Sequence, residues 1–209
     1  MMATRPDICW SVTKLSQHLS NPLESHWVAA KHVLRYLKGT ADYCLCYTKH
    51  KDGLKLIGYS DADWASSDDR RSTSGYSFAM HEEGPLISWK SRKQPTIALS
   101  SCEAEYIALA AAVQESLYLS QLIIDLGVSN QNEPILIYED NQGTIALANN
   151  PVHRQRSKHI DIKYHFIRSY VKNGKVVLKY CPTHDMLADI MTKPATKVQL
   201  EKFKMLIFG

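Results

Sequence analysis

The chain has 209 residues, of which 44% are hydrophobic and 22% charged, and its formal net charge is +4. This composition is typical of a soluble globular protein that can bury a core. The mild positive charge permits a polyanionic partner without requiring one.

The five cysteines are scattered and include no C-x-x-C pair. This pattern argues against a disulfide framework or a zinc site and for reduced thiols in an intracellular protein. The N-terminus shows no secretory signal, and no stretch approaches 18 apolar residues, so we expect no membrane span. The opening residues also resemble the middle of a longer protein, from which we expect an upstream domain to be missing.

The first forty residues predict a helical hairpin. One helix runs to about Leu19, where Asn21-Pro22 ends it, and the second closes at Lys38-Gly39. Apolar residues of the second helix recur on one face. These residues are Trp27, Ala30, Val33, Leu34 and Leu37.

From residue 41 the hydrophobic period becomes that of strands. "DYCLCYT" and "LKLIGYSD" flank "KHKDG" and predict one hairpin; "TSGYSFAMH" and "PLISWKS" flank "EEG" and predict another. Cys44 and Cys46 are interpreted as small apolar residues on one strand face. A metal site that combines them with His50 is the less favoured interpretation.

A long helix closed at Gly127 follows, and then "PILIYE", a buried strand. A short helix stopped by Pro151, a helix ending at Asn173-Gly174, the strand "KVVLKYC", a helix stopped by Pro194 and a last helix over 197–208 complete the chain. The pattern predicts an α/β fold with a mixed sheet covered by helices. Strands joined by tight turns are expected to be antiparallel, and the strand after the long helix parallel.

Asp61 lies at the end of the strand "LKLIGYS" and shares a face with Asp63. Taken alone, the two residues are more simply explained as ordinary charged residues at the point where a strand stops. Asp68 and Asp69 follow in a polar loop and are expected to be solvated.

Two glutamates begin the long helix. Ser100 and Glu103 fit a capping box, which gives Glu103 a structural role. Glu105 has no such role and lies on a face of small residues, where a carboxylate is costly unless a cation or donor meets it.

Asp140 and Asp189 complete the set of candidates. Asp140 stands at a strand-to-helix junction, where α/β folds place their chemistry, although a capping role is about as plausible. Asp189 lies in a helix among apolar neighbours, which implies a partner. Together the four acids predict a site for Mg²⁺, and two such ions about 4 Å apart support phosphodiester cleavage.

The motifs that carry a resemblance are "YSDADWA", "RRSTSGYSF", "ISWKSRKQPTIALSSCEAEYIAL", "YEDNQGTIALA", "RSKHIDIKYHFIR" and "LADIMTKP". Over essentially the whole chain they closely resemble the RNase H domain of copia-type retrotransposon polyproteins. The resemblance implies an RNase H-like five-stranded mixed sheet over 41–195. It also implies that 1–40 is a helical remnant of the reverse transcriptase end and that 196–209 is a helical tail.

The resemblance implies cleavage of the RNA strand of RNA–DNA hybrids with two Mg²⁺ ions, for which Mn²⁺ could substitute. It assigns catalysis and metal binding to Asp61, Glu105, Asp140 and Asp189, with Asp63 as a supporting or fallback residue. His184 falls where many cellular enzymes of this type carry a histidine, and no catalytic role is predicted for it here. Expected partners are the hybrid and the upstream reverse transcriptase domain, with no membrane and no small-molecule cofactor.

Two basic clusters are candidate contacts for the hybrid backbone. Each is about as well explained as a solvated charged face. One contains Lys90, Arg92 and Lys93, and the other contains Arg154, Arg156 and Lys158.

Two alternatives stay open at this point. One is an inactive or domesticated fragment that binds nucleic acid or protein without cleavage. The other is an integrase- or resolvase-type nuclease of the same fold, which the helix glutamate after three strands disfavours. The expected location is the cytoplasm, in a retrotransposon particle, with the nucleus as a second compartment.

Overall fold

A computed structural model describes residues 3–48, 54–82, 84–128, 133–150 and 158–208, with only the backbone of 158–161 considered. Seven α-helices and five strands are described in these ranges. The helices are α1 (Cys9–Ser16), α2 (Glu24–Gly39), α3 (Ser101–Asp125), α4 (Gln142–Asn149), α5 (Lys158–Lys172), α6 (Asp189–Thr192) and α7 (Lys197–Phe208). The strands are β1 (Ile57–Asp63), β2 (Thr73–Ala79), β3 (Leu86–Lys93), β4 (Ile135–Glu139) and β5 (Val176–Tyr180).

The strands form one sheet in the order β3-β2-β1-β4-β5. β1 pairs antiparallel with β2, and β2 with β3, because tight connections join them. β4 pairs parallel with β1, and β5 with β4, because helices connect them. The predicted mixed five-stranded α/β fold is therefore confirmed, including the change from antiparallel to parallel pairing after the long helix.

One face of the sheet is covered by α3 and α5. Ala104, Ala108 and Ala112 are almost fully buried, and their small side chains let α3 lie close to β1 and β2. Leu109 and Val113 extend this core towards β4, where Ile137 is fully buried. The face of small residues that the sequence shows on this helix thus packs against the sheet, and α3 contributes to the main core of the domain.

The other face is covered by α1, α6 and α7. Leu187, Ile190 and Met191 pack there with Phe203 and Ile207 of α7. This second core holds α6 directly against β1 and β2. It therefore fixes the position of Asp189, which begins α6.

The hairpin predicted before β1 is wrong in its first strand. Residues 43–48 form no strand, because β1 lies between β2 and β4 and has no free edge. The segment is held instead by the amide of Cys46, which donates to the carbonyl of Phe208 (2.7 Å), and by the Tyr47 hydroxyl, which donates to the carbonyl of Leu86 (2.7 Å). Cys44 and Cys46 are exposed rather than on a strand face, and His50 lies outside the described residues.

The predicted N-terminal helical hairpin is confirmed as α1 and α2. Its second helix has no buried residue, and Trp27 and Leu34 of the predicted apolar face are 58% and 62% exposed. The boundaries at residues 40 and 195 stay a prediction.

Among the described residues, α3 is long and apolar enough to cross a membrane by length and composition alone. Half of its most apolar 18-residue stretch is buried inside the fold. The core helix of a globular domain can be equally long and apolar. α3 is such a core helix, because it packs against the sheet.

Candidate metal centre

Asp61 is placed by β1 at the centre of the sheet. Its side chain is nearly fully buried, with 1% of the residue exposed, and it accepts a short hydrogen bond from the hydroxyl of Thr192. The ammonium of Lys193 lies 3.9 Å from its Oδ2. A buried carboxylate with one neutral donor and one distant cation is incompletely compensated.

Asp189 reaches the same place from α6. Its Oδ1 is 2.9 Å from the Lys193 ammonium, which lies one turn further along the chain. The close approach of α6 depends on Gly75, which pairs with Asp61 across β1 and β2. A Cβ on Gly75 would lie 2.7 Å from Met191 Cβ and 2.7 Å from Thr192 Cγ2.

Asp140 follows β4 directly and is free of the capping role that the sequence left open. Asn141 caps α4 instead, since its Oδ1 accepts from the amide of Thr144 (3.0 Å). The Oδ2 of Asp140 accepts from the hydroxyl of Thr183 (2.7 Å). Asp140 can therefore present its second oxygen to the site.

Glu105 enters from α3. The capping prediction for its neighbour is confirmed, because Ser100 Oγ accepts from the amide of Glu103 and Glu103 Oε2 accepts from the amide of Leu99. Glu105 is 6% exposed, and its Oε2 is buried without a hydrogen-bond partner in the described chain. The carboxylate accepts a hydrogen bond from the backbone of Ala62, but this contact leaves Oε2 uncompensated.

The carboxylates meet in two groups that share Asp140. Oxygens of Asp61, Asp140 and Asp189 lie within 4.8 Å of one another, and so do oxygens of Glu105, Glu139 and Asp140. The structure thus brings the four predicted acids together. Asp63 is partly exposed at the end of β1 and belongs to neither group.

Glu139 is the member of the cluster that the sequence analysis missed. It was counted as the last residue of an apolar strand. The available signal was the alternation of buried positions in β4, since Ile135 and Ile137 face the α3 core and Glu139 follows in the same register.

Burial dominates the electrostatics of the cluster. It raises the pKa of Asp61 to about 7, with Lys193 opposing the shift. Burial, and then the neighbouring carboxylates, raise the pKa values of Glu105 and Glu139 well above the usual range, and burial also raises that of Asp189. Burial alone would lower the pKa of Lys193. The carboxylates around it have the larger, opposite effect, so its pKa lies above the usual value.

These residues fit a divalent cation. The donor set consists of carboxylate oxygens alone, which suits hard ions such as Mg²⁺ or Mn²⁺. The buried Oε2 atoms of Glu105 and Glu139 have no hydrogen-bond partner within the described residues. Cations would satisfy both oxygens and would remove the repulsion among the acids.

The cluster predicts an unusual dependence of stability on pH. Because the folded state holds protons on Asp61 up to about pH 7 and the unfolded chain releases them near pH 4, the free energy of unfolding falls across that interval. Divalent cations should oppose this fall, and more strongly at pH 8 than at pH 5 because protons compete with them at low pH. Thermal unfolding with EDTA or Mg²⁺ at each pH measures both effects.

Asp61→Asn is the reference variant for this measurement. It has no titratable carboxyl group at this position, so its free energy of unfolding should change less than that of the wild type between about pH 4 and about pH 7. A wild-type chain equally stable at both ends of the interval in EDTA would contradict the electrostatic account.

The first basic cluster borders a groove of about 620 Å³ between β3, α3 and α5. Lys90 and Arg92 are exposed there, whereas Lys93 bonds Asp69 (2.9 Å). Asp69 is thus exposed, as predicted, but paired. Of the second cluster, Arg154 and Arg156 lie outside the described residues, as does the side chain of Lys158.

His184 lies outside the cluster. It belongs to a short 3-10 turn after β5, its side chain is 75% exposed, and its Nε2 is 3.1 Å from Asp185 Oδ2. We therefore keep the prediction from the sequence, which gives His184 no catalytic role.

Sequence comparison finds close relatives over almost the whole chain. The retrovirus-related Pol polyprotein from transposon RE2 of Arabidopsis thaliana is 43% identical over 96% of this chain, which spans only 14% of that polyprotein. The secreted RxLR effector protein 161 of Plasmopara viticola is 51% identical over 57% of this chain and 83% of its own length. A scan against protein-family models gives no match.

Solved structures share the fold at low identity. LC11-RNase H1, isolated from compost, superposes with a TM-score of 0.50 at 17% identity and covers 66% of this chain and 92% of its own. The foamy viral protease-reverse transcriptase in complex with RNA/DNA hybrid gives a TM-score of 0.56 at 14% identity over 93% of this chain and 24% of its own. From its relatives and its sheet, the chain belongs to the copia-type retrotransposon Pol polyproteins and has the RNase H-like fold.

Proposed function

We propose that the chain is a Mg²⁺-dependent ribonuclease that cuts the RNA strand of RNA–DNA hybrids. The observation that carries the proposal is the convergence of Asp61 from β1, Asp140 from the end of β4, and Glu105 and Asp189 from two helices of an RNase H-like fold. Two relatives in structure support the substrate class, since one is an RNase H1 and the other was solved with an RNA/DNA hybrid.

The four acids would hold two divalent cations beside the C-terminal parts of the adjacent inner strands β1 and β4. Bound there, such ions supply Lewis-acid stabilisation of the phosphate and a water of lowered pKa. The chain contributes the positions of the ligands. Thr192 orients Asp61, and Thr183 orients Asp140.

Lys193 is a cationic neighbour of two of the four acids. Its ammonium neutralises part of the charge of Asp61 and Asp189 and is about one third exposed, so it can withdraw into solvent.

The groove beside β3 is the proposed contact for the hybrid backbone. Lys90 and Arg92 are exposed at its rim, and Lys163 lines it from α5. Backbone phosphates need such cations but give no sequence information, which suits an enzyme that recognises the shape and 2′-hydroxyls of its substrate.

Neutralising this rim should weaken hybrid binding and its dependence on salt. The plot of log affinity against log salt has a negative slope. For the double variant Lys90→Gln and Arg92→Gln, the magnitude of this slope should fall by about 0.7 to 0.9 for each phosphate contact that is lost. Fluorescence anisotropy of a labelled hybrid at several salt concentrations measures it.

The matched control is Arg35→Gln with Lys38→Gln, which removes the same charges from exposed positions of α2. Equal slopes for the wild type and the rim variant would remove the groove from the interface.

The proposal is tested with a panel of substrates. The purified chain is incubated, with Mg²⁺ or EDTA, with an RNA–DNA hybrid labelled on either strand, with duplex DNA and with duplex RNA. Internal cuts confined to the RNA strand of the hybrid and dependent on Mg²⁺ support the proposal. Equal cutting of duplex DNA would favour an integrase- or resolvase-type nuclease. Binding of the hybrid without cleavage would favour a non-catalytic fragment.

The partners and location follow the same proposal. The chain would act beside a reverse transcriptase domain of the parent polyprotein, in the cytoplasmic particle of the element or in the nucleus. The five free cysteines suit a reducing compartment.

A further inference from the structure

Glu139 is a fully buried carboxylate beside the four acids of the proposed function. No part of the residue is exposed, and it shares the α3 face of β4 with Ile135 and Ile137. Tyr138 points to the opposite face, where its ring stacks on Tyr59 with centroids 5.1 Å apart. Glu139 therefore enters the space between the sheet and α3, where an uncompensated charge is costly.

The local contacts of Glu139 leave one oxygen unsatisfied. Oε1 accepts a long hydrogen bond from the amide of Asn141 (3.4 Å). The hydroxyl of Ser60, on the neighbouring strand, lies close enough to lower the pKa of the carboxyl, but Oε2 has no partner at hydrogen-bond distance among the described residues. The ammonium of Lys193 pairs with Asp189 (2.9 Å) and lies 3.9 Å from Asp61 instead. A buried carboxylate oxygen without a donor is the condition that a bound cation removes.

The position of Glu139 matches that need. Its carboxylate lies within 4.8 Å of those of Glu105 and Asp140, and together they form the second of the two groups. The first group contains Asp61 and Asp189, and Asp140 belongs to both. Each group offers three carboxylates, which is enough for a hard divalent ion that keeps some of its water.

We propose that Glu139 is a fifth carboxylate of the metal centre and holds, with Glu105 and Asp140, the cation on the α3 side of the sheet. The inference rests on the proposed function, because it assigns a residue to one of the same two ions. The competing account is a neutral Glu139 that fills space and accepts a bond from Asn141, a role that glutamine performs equally well.

The test counts bound Mn²⁺ in the metal-binding isotherm of the wild type and of Glu139→Gln, with free Mn²⁺ followed by electron paramagnetic resonance. The wild type should bind two ions. Glu139→Gln should keep one at unchanged affinity and bind the other about 10- to 100-fold more weakly, as for other groups that support metal sites. Glu133→Gln, an exposed change just before β4, is the matched control and should leave both ions in place.

Identical isotherms for the wild type and a folded Glu139→Gln would overturn the inference, and the proposed function would stand if that wild type binds two ions and cleaves the hybrid. A wild type that binds no Mn²⁺ overturns both. If Glu139→Gln does not fold, the anomalous difference map of wild-type crystals grown with Mn²⁺ decides the question. A peak bonded to the Glu139 carboxylate supports the inference, and peaks bonded only to the other four acids overturn it.

Discussion

Asp140→Asn is expected to keep the fold and lose hybrid cleavage by about a thousand-fold, which corresponds to roughly 4 kcal/mol of the barrier. Asp140 belongs to both carboxylate groups, so its loss should weaken both cations at once. It is also less buried than Asp61, and Thr183 can donate to the amide oxygen of asparagine as it does to the carboxylate. Single-turnover cleavage of a labelled hybrid and far-UV circular dichroism measure the two effects.

Asp63→Asn is the matched control for this variant. It makes the same chemical change in the same part of the sheet, at a residue outside both groups. Its cleavage rate should stay within a few-fold of the wild type. A folded Asp140→Asn chain that cuts at the wild-type rate would show that the cluster is not the catalytic centre.

Gly75→Ala is expected to lower both stability and cleavage. The added methyl group would meet Met191 and Thr192 at 2.7 Å, and the carbonyl of Ala188 lies 3.2 Å away, so α6 must move away from the sheet. Overpacking of this kind costs about 1–3 kcal/mol. Displacing α6 also moves Asp189 and the Thr192 hydroxyl away from Asp61, so activity should fall by at least about tenfold.

Gly39→Ala tests whether the effect belongs to the site rather than to glycine replacement in general. A Cβ at Gly39 would meet nothing within 4 Å, so this variant should match the wild type in melting temperature and rate. If Gly75→Ala also matched the wild type in both, the contact between α6 and β2 would not position Asp189.

The order of elements could be predicted from the sequence because each pattern was local. The alternation of apolar residues, the turn residues and the small face of α3 each indicated one element and its neighbours. The hairpin before β1 failed because its outcome depends on a distant strand. β4 occupies the edge of β1 that a strand from residues 43–48 would need.

The site was predicted in part for the same reason. Asp61, Glu105, Asp140 and Asp189 each stood out among their own neighbours, and the structure brings them together. Glu139 looked like the polar end of a strand, although the alternation in β4 puts it on the same face as Ile135 and Ile137, which packs against α3. The pairing of Lys193 with Asp189 is local, but its proximity to Asp61 depends on the docking of α6, which no local pattern contains.

The charge pattern did not show which basic residues of the first cluster are paired within the chain. Lys93 is paired with Asp69, so it contributes less free charge to the groove than Lys90 or Arg92. A run of basic residues in the sequence does not show which of its members an acidic loop neutralises.

The most direct test of the metal centre and its substrate is metal rescue at a single RNA phosphate. An RNA–DNA hybrid is prepared with one phosphorothioate at a known cleavage position in the RNA strand, and its cutting is compared in Mg²⁺ and in Mn²⁺. Because Mg²⁺ binds sulfur poorly, we expect cleavage at that position to slow by about tenfold or more in Mg²⁺ and to recover in Mn²⁺. Equal cutting in both metals, or cutting in EDTA, would contradict a cation held by this cluster against the scissile RNA phosphate.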